Sequence, residues 1–448
     1  MKRRSIGFCI VLLMALGLFA QGKKENDTQG ITTITWWHSN SGLLQEATDA
    51  MVGRFNETIG KEQGIKVQAV YQGKASDVLT KIKAIDQGGN NSSLPDLVQL
   101  DAQAILDIRD NPVLIDAETL AKENNYDLSQ IVESARLSQT YKGKMIGMPF
   151  NSSTILLYYN KTAFDQAGIK EAPKTLDELA TDSQRLLLKD DKGTILRYGF
   201  SGVPTTYELC AWLGQQNGLS LICDMNNGHD GIPQKMLFDS NGTMDNFLTK
   251  WKQLYATGAL DTATSGISAS FASGKTVMMV ASTSQLTTTL EMIGDRFELG
   301  VANLPAVDDK ATGGVNIGGG ALYTLDNASN HSKETWQFVQ FAVSAEEQLA
   351  WHIATGYFPV NSGTYELDAF KQHVQDNPLF GIAIKQMRES NPQLQGIWVP
   401  SSYQIYYAFQ SGILKMLTEN KDVHETTLSL AKEIDGYLTD YLNMQATK

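Results

Sequence analysis

The sequence predicts an α/β protein built as two lobes. Three observations point there: the 448 residues are too many for one ordinary hydrophobic core, strands alternate with amphipathic helices along most of the chain, and a hydroxyl-rich stretch between two apolar strands, Gly147 to Lys161, reads as a passage from one structural unit to the next. Hydrophobic residues at 42% and charged residues at 19% exclude a disordered or fibrous chain. The net charge of -12, with no basic run after the N-terminus, argues against a nucleic-acid partner, because phosphate neutralisation needs clustered Lys and Arg.

Residues 1–29 form a separate unit. Lys2-Arg3-Arg4 precede an apolar run from Ile6 to Phe19, and the chain turns polar from Gln21 to Asn26, the pattern of an export signal and tether. The apolar run is shorter than the ~20 residues a membrane span needs. Leu18-Phe19-Ala20 resembles the approach to a lipoprotein cleavage site, but Gln21 stands where a lipidated cysteine would be required.

Ile31 to Trp37 alternates as a strand and leads through His38-Ser39-Asn40-Ser41-Gly42 into a helix carrying Leu44, Ala47, Met51 and Phe55 on one face. Val67 to Tyr71 is a second strand, Ser76 to Gln87 a helix, and Leu97 to Leu100 a third strand ending at Asp101. Loops at the carboxyl ends of such strands are where open α/β sheets hold ligands. At Met145 to Met148 a short strand meets Pro149, and the polar run behind it is not expected to continue a buried strand; Ile155 to Tyr159 is the next. Thr175 and Glu178 form a capping box that opens a helix to about Lys189. Arg197 to Val203 reads as a strand, Tyr207 to Gln216 and Met244 to Tyr255 as helices, Asn226 to Gly231 as a turn, and Thr276 to Val280 as a central strand. Phe297 to Val301 and the glycine-rich Asn316 to Tyr323 are strands. Ser344 to Glu347 is a second capping box, and the chain beyond Pro378 is mostly helical.

Cys210 and Cys223 are the cysteines beyond the leader; two separately packed thiols are expected, with a disulfide as the alternative an exported chain permits. The six histidines never fall at HxxxH spacing, there is no GxSxG elbow, and the triple glycine at 318–320 lacks a phosphate-loop pattern. Tyr158-Tyr159 and Tyr406-Tyr407 could ligate iron, though alternate strand faces account for the first pair. Aromatic residues beside polar loops, among them Trp37, Tyr71, Tyr207, Tyr357 and Trp398, fit a site where rings stack on C–H faces while hydroxyls meet polar groups.

Taken together, the leader, Thr35-Trp36-Trp37-His38-Ser39, Pro149-Phe150-Asn151-Ser152-Ser153-Thr154, Leu157-Tyr158-Tyr159-Asn160-Lys161, Asn226-Asn227-Gly228, Ile317-Gly318-Gly319, Trp351-His352 and Thr355-Gly356-Tyr357 resemble, in this order, the extracellular solute-binding proteins of carbohydrate-type ABC importers, in particular those that bind glycerol-3-phosphate. The resemblance covers essentially the whole chain after the leader. It implies a two-lobed periplasmic-binding-protein fold of type II with three interlobe crossings, placed near 148–152, 280–284 and 318–323. The lobes would be 30–149 with 284–320, and 150–283 with 321–448. It further implies a monomer on the outer side of the cytoplasmic membrane that passes a polyol, sugar or glycerol-phosphate derivative to an ABC permease, with no cofactor, no metal and no catalytic residue. An extracytoplasmic carbohydrate-active hydrolase is the alternative. Carried over by position, the ligand contacts fall on Tyr71, Asp101, Ser152, Ser153, Tyr207, Gly319 and Tyr357. One departure stands out. Trp398, in Gly396-Ile397-Trp398-Val399-Pro400, occupies the place of a phosphate-binding arginine, and Trp398→Ala is expected to weaken binding if the ring stacks on ligand.

Overall fold

Alternation of side chains along the strands decides how the layers form. In the computed structural model, which describes residues 30–101, 104–109 and 113–446, Ile155 and Leu157 point into one apolar cluster and Leu156 and Tyr158 into another. Both faces of that sheet are therefore covered by helices, as the unbroken run of buried residues requires.

The first sheet orders its strands Ile65–Tyr71, Thr32–His38, Leu97–Asp101, Gly318–Leu325 and Leu114–Ile115, with Met148–Ser153 also paired to Gly318–Leu325. The first three run parallel, and Gly318–Leu325 lies antiparallel to its neighbours. The second sheet orders Leu260–Asp261, Ile195–Ser201, Thr276–Ser282, Ile155–Asn160 and Leu299–Asn303, with Ile155–Asn160 antiparallel inside a parallel set and the short Leu188–Lys189 also paired antiparallel to Ile195–Ser201. Each lobe is thus an α/β sheet with helices on both sides. Among the described residues no helix is long and apolar enough to cross a membrane.

Two expectations about lobe boundaries are corrected. Leu299–Asn303 pairs with Ile155–Asn160, so 284–317 stays with the second lobe, whereas Gly318–Leu325 pairs with Leu97–Asp101 and belongs to the first. Helices Ser332–Ala342 and Ala345–Thr355 follow it there, because Phe338 packs on Trp36 and Phe55 at ring-centroid distances of 5.5 and 5.1 Å. The first lobe is then 30–153 with 318–364, since Val360 enters its core and Asn361 bridges to Ile131, and the second is 154–317 with 365–446. The crossing expected at 280–284 does not exist: Thr283 donates its amide to the Thr154 carbonyl, but the chain returns to the second sheet at Leu299. The third passage runs from Phe358, beside the other two, to Tyr365, where the chain enters the second lobe's core. All three crossings sit side by side, since Ser153 pairs with Gly318 and Ser152 bridges to Phe358.

The polar run 151–153 is also strand after all, and fully buried. Its backbone is satisfied by Gly318–Leu322, and Pro149 is accommodated because this is an edge strand with a bulge opposite Gly320 and Ala321. Thr175 caps its helix as read, accepting from the Glu178 amide at 3.2 Å, but Glu178 reaches back one residue further, to the Lys174 amide. In the second box Ser344 accepts from the Glu347 amide, while the Glu347 carboxylate is taken by Arg54 in a two-pronged pair that ties the helix to Leu43–Glu57. Cys210 and Cys223 are free, buried thiols, the first pushed up to about 12 by burial.

Candidate functional site

A cavity of about 230 Å³ opens at the seam between the lobes. The first lobe supplies Asp101 from the end of its strand, Ser138, and Ser153, Gly318 and Gly319 beside the crossings. The second supplies Thr206, Tyr207 and Cys210 from the start of helix Thr206–Gly214, His229, Asn316 and Ile317, and the extended segment Gln395 to Trp398. Asp101, Ser153, Tyr207, Gly319 and Trp398, named from the sequence, thus share one wall.

Glycine makes the wall possible at two places. Gly319 has φ +112°, and a Cβ there would stand 1.6 Å from the Asn151 carbonyl oxygen; at Gly318 it would stand 2.3 Å from the Tyr207 ring. The ring therefore lies flat on the strand, and its hydroxyl meets Ser153 Oγ at 3.3 Å. Burial raises the Tyr207 phenol well above its ordinary range, so it stays protonated. Asp101 keeps accessible surface at the end of its strand, yet the protein packed around its carboxyl desolvates it and pushes it up to about 6.

The other expected contacts sit differently. Tyr71 is 51% exposed at the end of its strand, its ring 6.2 Å from that of His38, and it is not among the lining residues. Ser152 is buried in the crossing, where its carbonyl accepts from the Phe358 amide at 2.7 Å. Tyr357 is half-buried and is not among the lining residues. Burial, and then the nearby Asp101, push its phenol up to about 12, while a hydrogen bond with Ser284 pulls the other way. Trp398 is 2% exposed and stacks on His229 at 4.1 Å, near-parallel to Tyr141 at 6.1 Å. Its neighbours Ile397 and Val399 enter the core of the second lobe while Trp398 enters that of the first. The ring is thus packed between the lobes while it also lines the cavity.

His229 was not singled out by its sequence context, yet it holds the seam. Met225, Asn226, Asn227 and Gly228 all have positive φ, a tight left-handed turn that projects the next residue outward. Asn227 Oδ1 steadies the turn by accepting from the amides of Ile222 and Cys223. His229 Nδ1 then lies 3.2 Å from the Thr140 carbonyl of the first lobe, and Nε2 3.0 Å from the Gly396 carbonyl of the second. Its own carbonyl accepts from the Lys142 amide at 2.7 Å. Burial lowers its pKa, the two carbonyls opposing in part. A neutral ring donates to one carbonyl at a time. Thr206, Asn316 and Gln395 also escape sequence reading, because single hydroxyl and amide side chains carry no spacing signature.

Comparison with known proteins agrees with this fold. The chain is 27% identical over 403 residues to the sn-glycerol-3-phosphate-binding periplasmic protein UgpB of Yersinia pestis bv. Antiqua (strain Antiqua), covering 86% of this chain and 85% of that one. It is 28% identical over 394 residues to the protein of the same name from Escherichia coli (strain K12), covering 85% of each. In fold it superposes on UgpB from Mycobacterium tuberculosis in complex with glycerophosphocholine with a TM-score of 0.74 at 22% identity, covering 93% of this chain and 100% of that one. The cyclic alpha-maltosyl-1,6-maltose binding protein from Arthrobacter globiformis gives a TM-score of 0.75 at 21% identity, over 92% of this chain and 100% of that one. A family model described as bacterial extracellular solute-binding protein matches residues 50–380, most of the chain, and the chain belongs to that family.

Proposed function

We propose that the protein is the extracytoplasmic receptor of an ABC importer, capturing a glycerol-phosphate derivative, polyol or sugar between its lobes and delivering it to a membrane permease. The observation that carries this reading is the convergence of Asp101, Ser153, Tyr207 and Gly319 on one cavity at the seam of two sheets joined by three adjacent crossings. Crossings laid side by side form a hinge, and a ligand touching both walls favours the closed arrangement. The relatives named for sn-glycerol-3-phosphate, and the solved structures whose titles name glycerophosphocholine and a cyclic maltosyl-maltose, support the range of ligand chemistry.

The receptor acts as a monomer, performs no chemistry and works outside the cytoplasmic membrane; residues 1–29, read as its export signal, lie outside the described residues. Glycoside hydrolysis uses two carboxyl groups flanking the scissile bond, and among the described residues the cavity wall carries one, Asp101. A thermal-shift screen with glycerol-3-phosphate, glycerophosphodiesters and neutral sugars tests the reading, because ligand bound to the native state raises apparent stability by mass action. Stabilisation without turnover of any compound is expected; sustained product release from an oligosaccharide contradicts it.

A further inference from the structure

Asp101 borders two spaces. One is the cavity at the seam; the other is a gap of about 10 Å³ lined by Ala75, Leu79, Leu100 and Ala104 of the first lobe and by Ser402 and Tyr403 of the second. On its own lobe the carboxyl lies beside Gly320, where an added Cβ would stand 3.6 Å from Oδ1. A gap of that size is at the lower bound for holding a single water, so it offers no path for bulk solvent.

Tyr403 reaches this gap from a rigid support. It is the second residue of helix Ser402–Thr418, which follows Ser401 at φ +54° and buries Ile405, Ala408, Phe409 and Ile413 in the core of the second lobe. Yet the carboxylates that act on its phenol, Asp101, Asp107 and Asp77, all belong to the first lobe; burial, and then these charges, hold the phenol above its ordinary range. The ring is 42% exposed, so it meets the gap while part of it stays in water. Trp398 and Tyr403, from one stretch of the second lobe, thus border Asp101 at the cavity and at the gap.

We propose that Tyr403 is a positioning residue of the receptor: its ring closes the side of Asp101 that the cavity does not, and lobe closure thereby dries the carboxyl that ligand meets. The proposal rests on the receptor reading and adds to it a residue outside the cavity wall. Desolvation strengthens hydrogen bonds to a carboxylate and also raises its affinity for a proton, so the proton reports the seal. The other titratable groups around Asp101 are Tyr323 and Tyr357 on its own lobe and Tyr207, Cys210 and His229 across the cavity. Burial keeps the phenols and the thiol protonated, and His229 acts alike on every variant of Tyr403. Near Tyr403 itself, Asp107 is paired with Lys83 at 2.6 Å, and the Asp77 carboxylate accepts from the Lys74 amide at 2.9 Å.

Carbon-13 NMR of the full chain carrying labelled aspartate, titrated without ligand, tests it; the Asp101 signal is the one missing from Asp101→Asn. The native chain is expected to give an Asp101 midpoint near 6, and Tyr403→Ala a midpoint of about 5 or lower, on the way to the ordinary 3.8. Tyr403→Phe, which keeps the ring, is expected to hold the native value. A ring that served the fold alone would change the melting temperature and leave the midpoint where it was. Equal midpoints in the native chain and Tyr403→Ala overturn the proposal, and so does a Tyr403→Phe midpoint that follows Tyr403→Ala, since the hydroxyl and not the ring would then be responsible. Should Tyr403→Ala fail to fold, as judged by its melting curve, Tyr403→Thr carries the same expectations. No ligand enters the titration, so its failure leaves the receptor reading standing, whereas a thermal-shift screen in which nothing binds removes that reading and leaves the midpoints to judge the seal.

Discussion

Asp101 has the most to say at the scale of single residues. Its folded-state pKa is raised to about 6 by desolvation, so its contribution to stability is greatest below the ordinary value near 3.8 and is lost as pH rises through about 6. Binding runs the other way, because ligand hydroxyls donate to the carboxylate. With roughly a tenth of the groups ionised at pH 5, affinity at pH 5 is expected to be about tenfold weaker than at pH 7.5, by calorimetric titration, and Asp101→Asn to flatten the profile. An unchanged affinity across that range removes Asp101 from the site. Gly319 is the second residue with a sharp expectation. Its φ of +112° and the 1.6 Å approach to the Asn151 carbonyl leave no room for a Cβ, so Gly319→Ala should destabilise the fold by about 3 kcal/mol or more, read from the urea midpoint.

Among the elements, the segment Gln395 to Val399 is the one whose role changed most between sequence and structure. Read alone, Trp398 looked like an aromatic offered to ligand; the structure gives it to the first lobe's core while its neighbours hold to the second. Trp36, Trp212, Trp251, Trp336 and Trp351 are fully buried within single lobes. Trp37, the seventh, is half-buried on the first lobe alone, so closure should alter the emission of Trp398 most, and Trp398→Phe should remove most of the ligand-induced change in tryptophan fluorescence. A full change in that variant would show that Trp398 does not report the seam.

The same contrast shows what a sequence carries. Strands such as Ile65–Tyr71 and Leu97–Asp101, and the capped helix after Thr175, were legible because period and capping are local properties. Strand partners were not: the glycine run was read as the crossing out of the first lobe when it is the crossing into it, since nothing local in Gly318-Gly319-Gly320 names its neighbours. His229 stayed hidden for a related reason. Its importance comes from a left-handed turn and from two carbonyls, Thr140 and Gly396, that are distant in sequence.

For the whole molecule, closure must be weak enough to reverse. The seam is held by His229 between two carbonyls, by the Trp398 plug and by the paired crossings, while each lobe keeps its own buried clusters. Such an arrangement lets two rigid bodies rotate about a short hinge, and ligand shifts the balance only by binding the closed form better. Small-angle X-ray scattering of the full chain, alone and with the compound that gives the largest thermal shift, measures this most directly. The account predicts a smaller radius of gyration with that compound, and no such contraction in Asp101→Asn at the same concentration. Binding with an unchanged radius in the native chain, from a start that is already open, would contradict it.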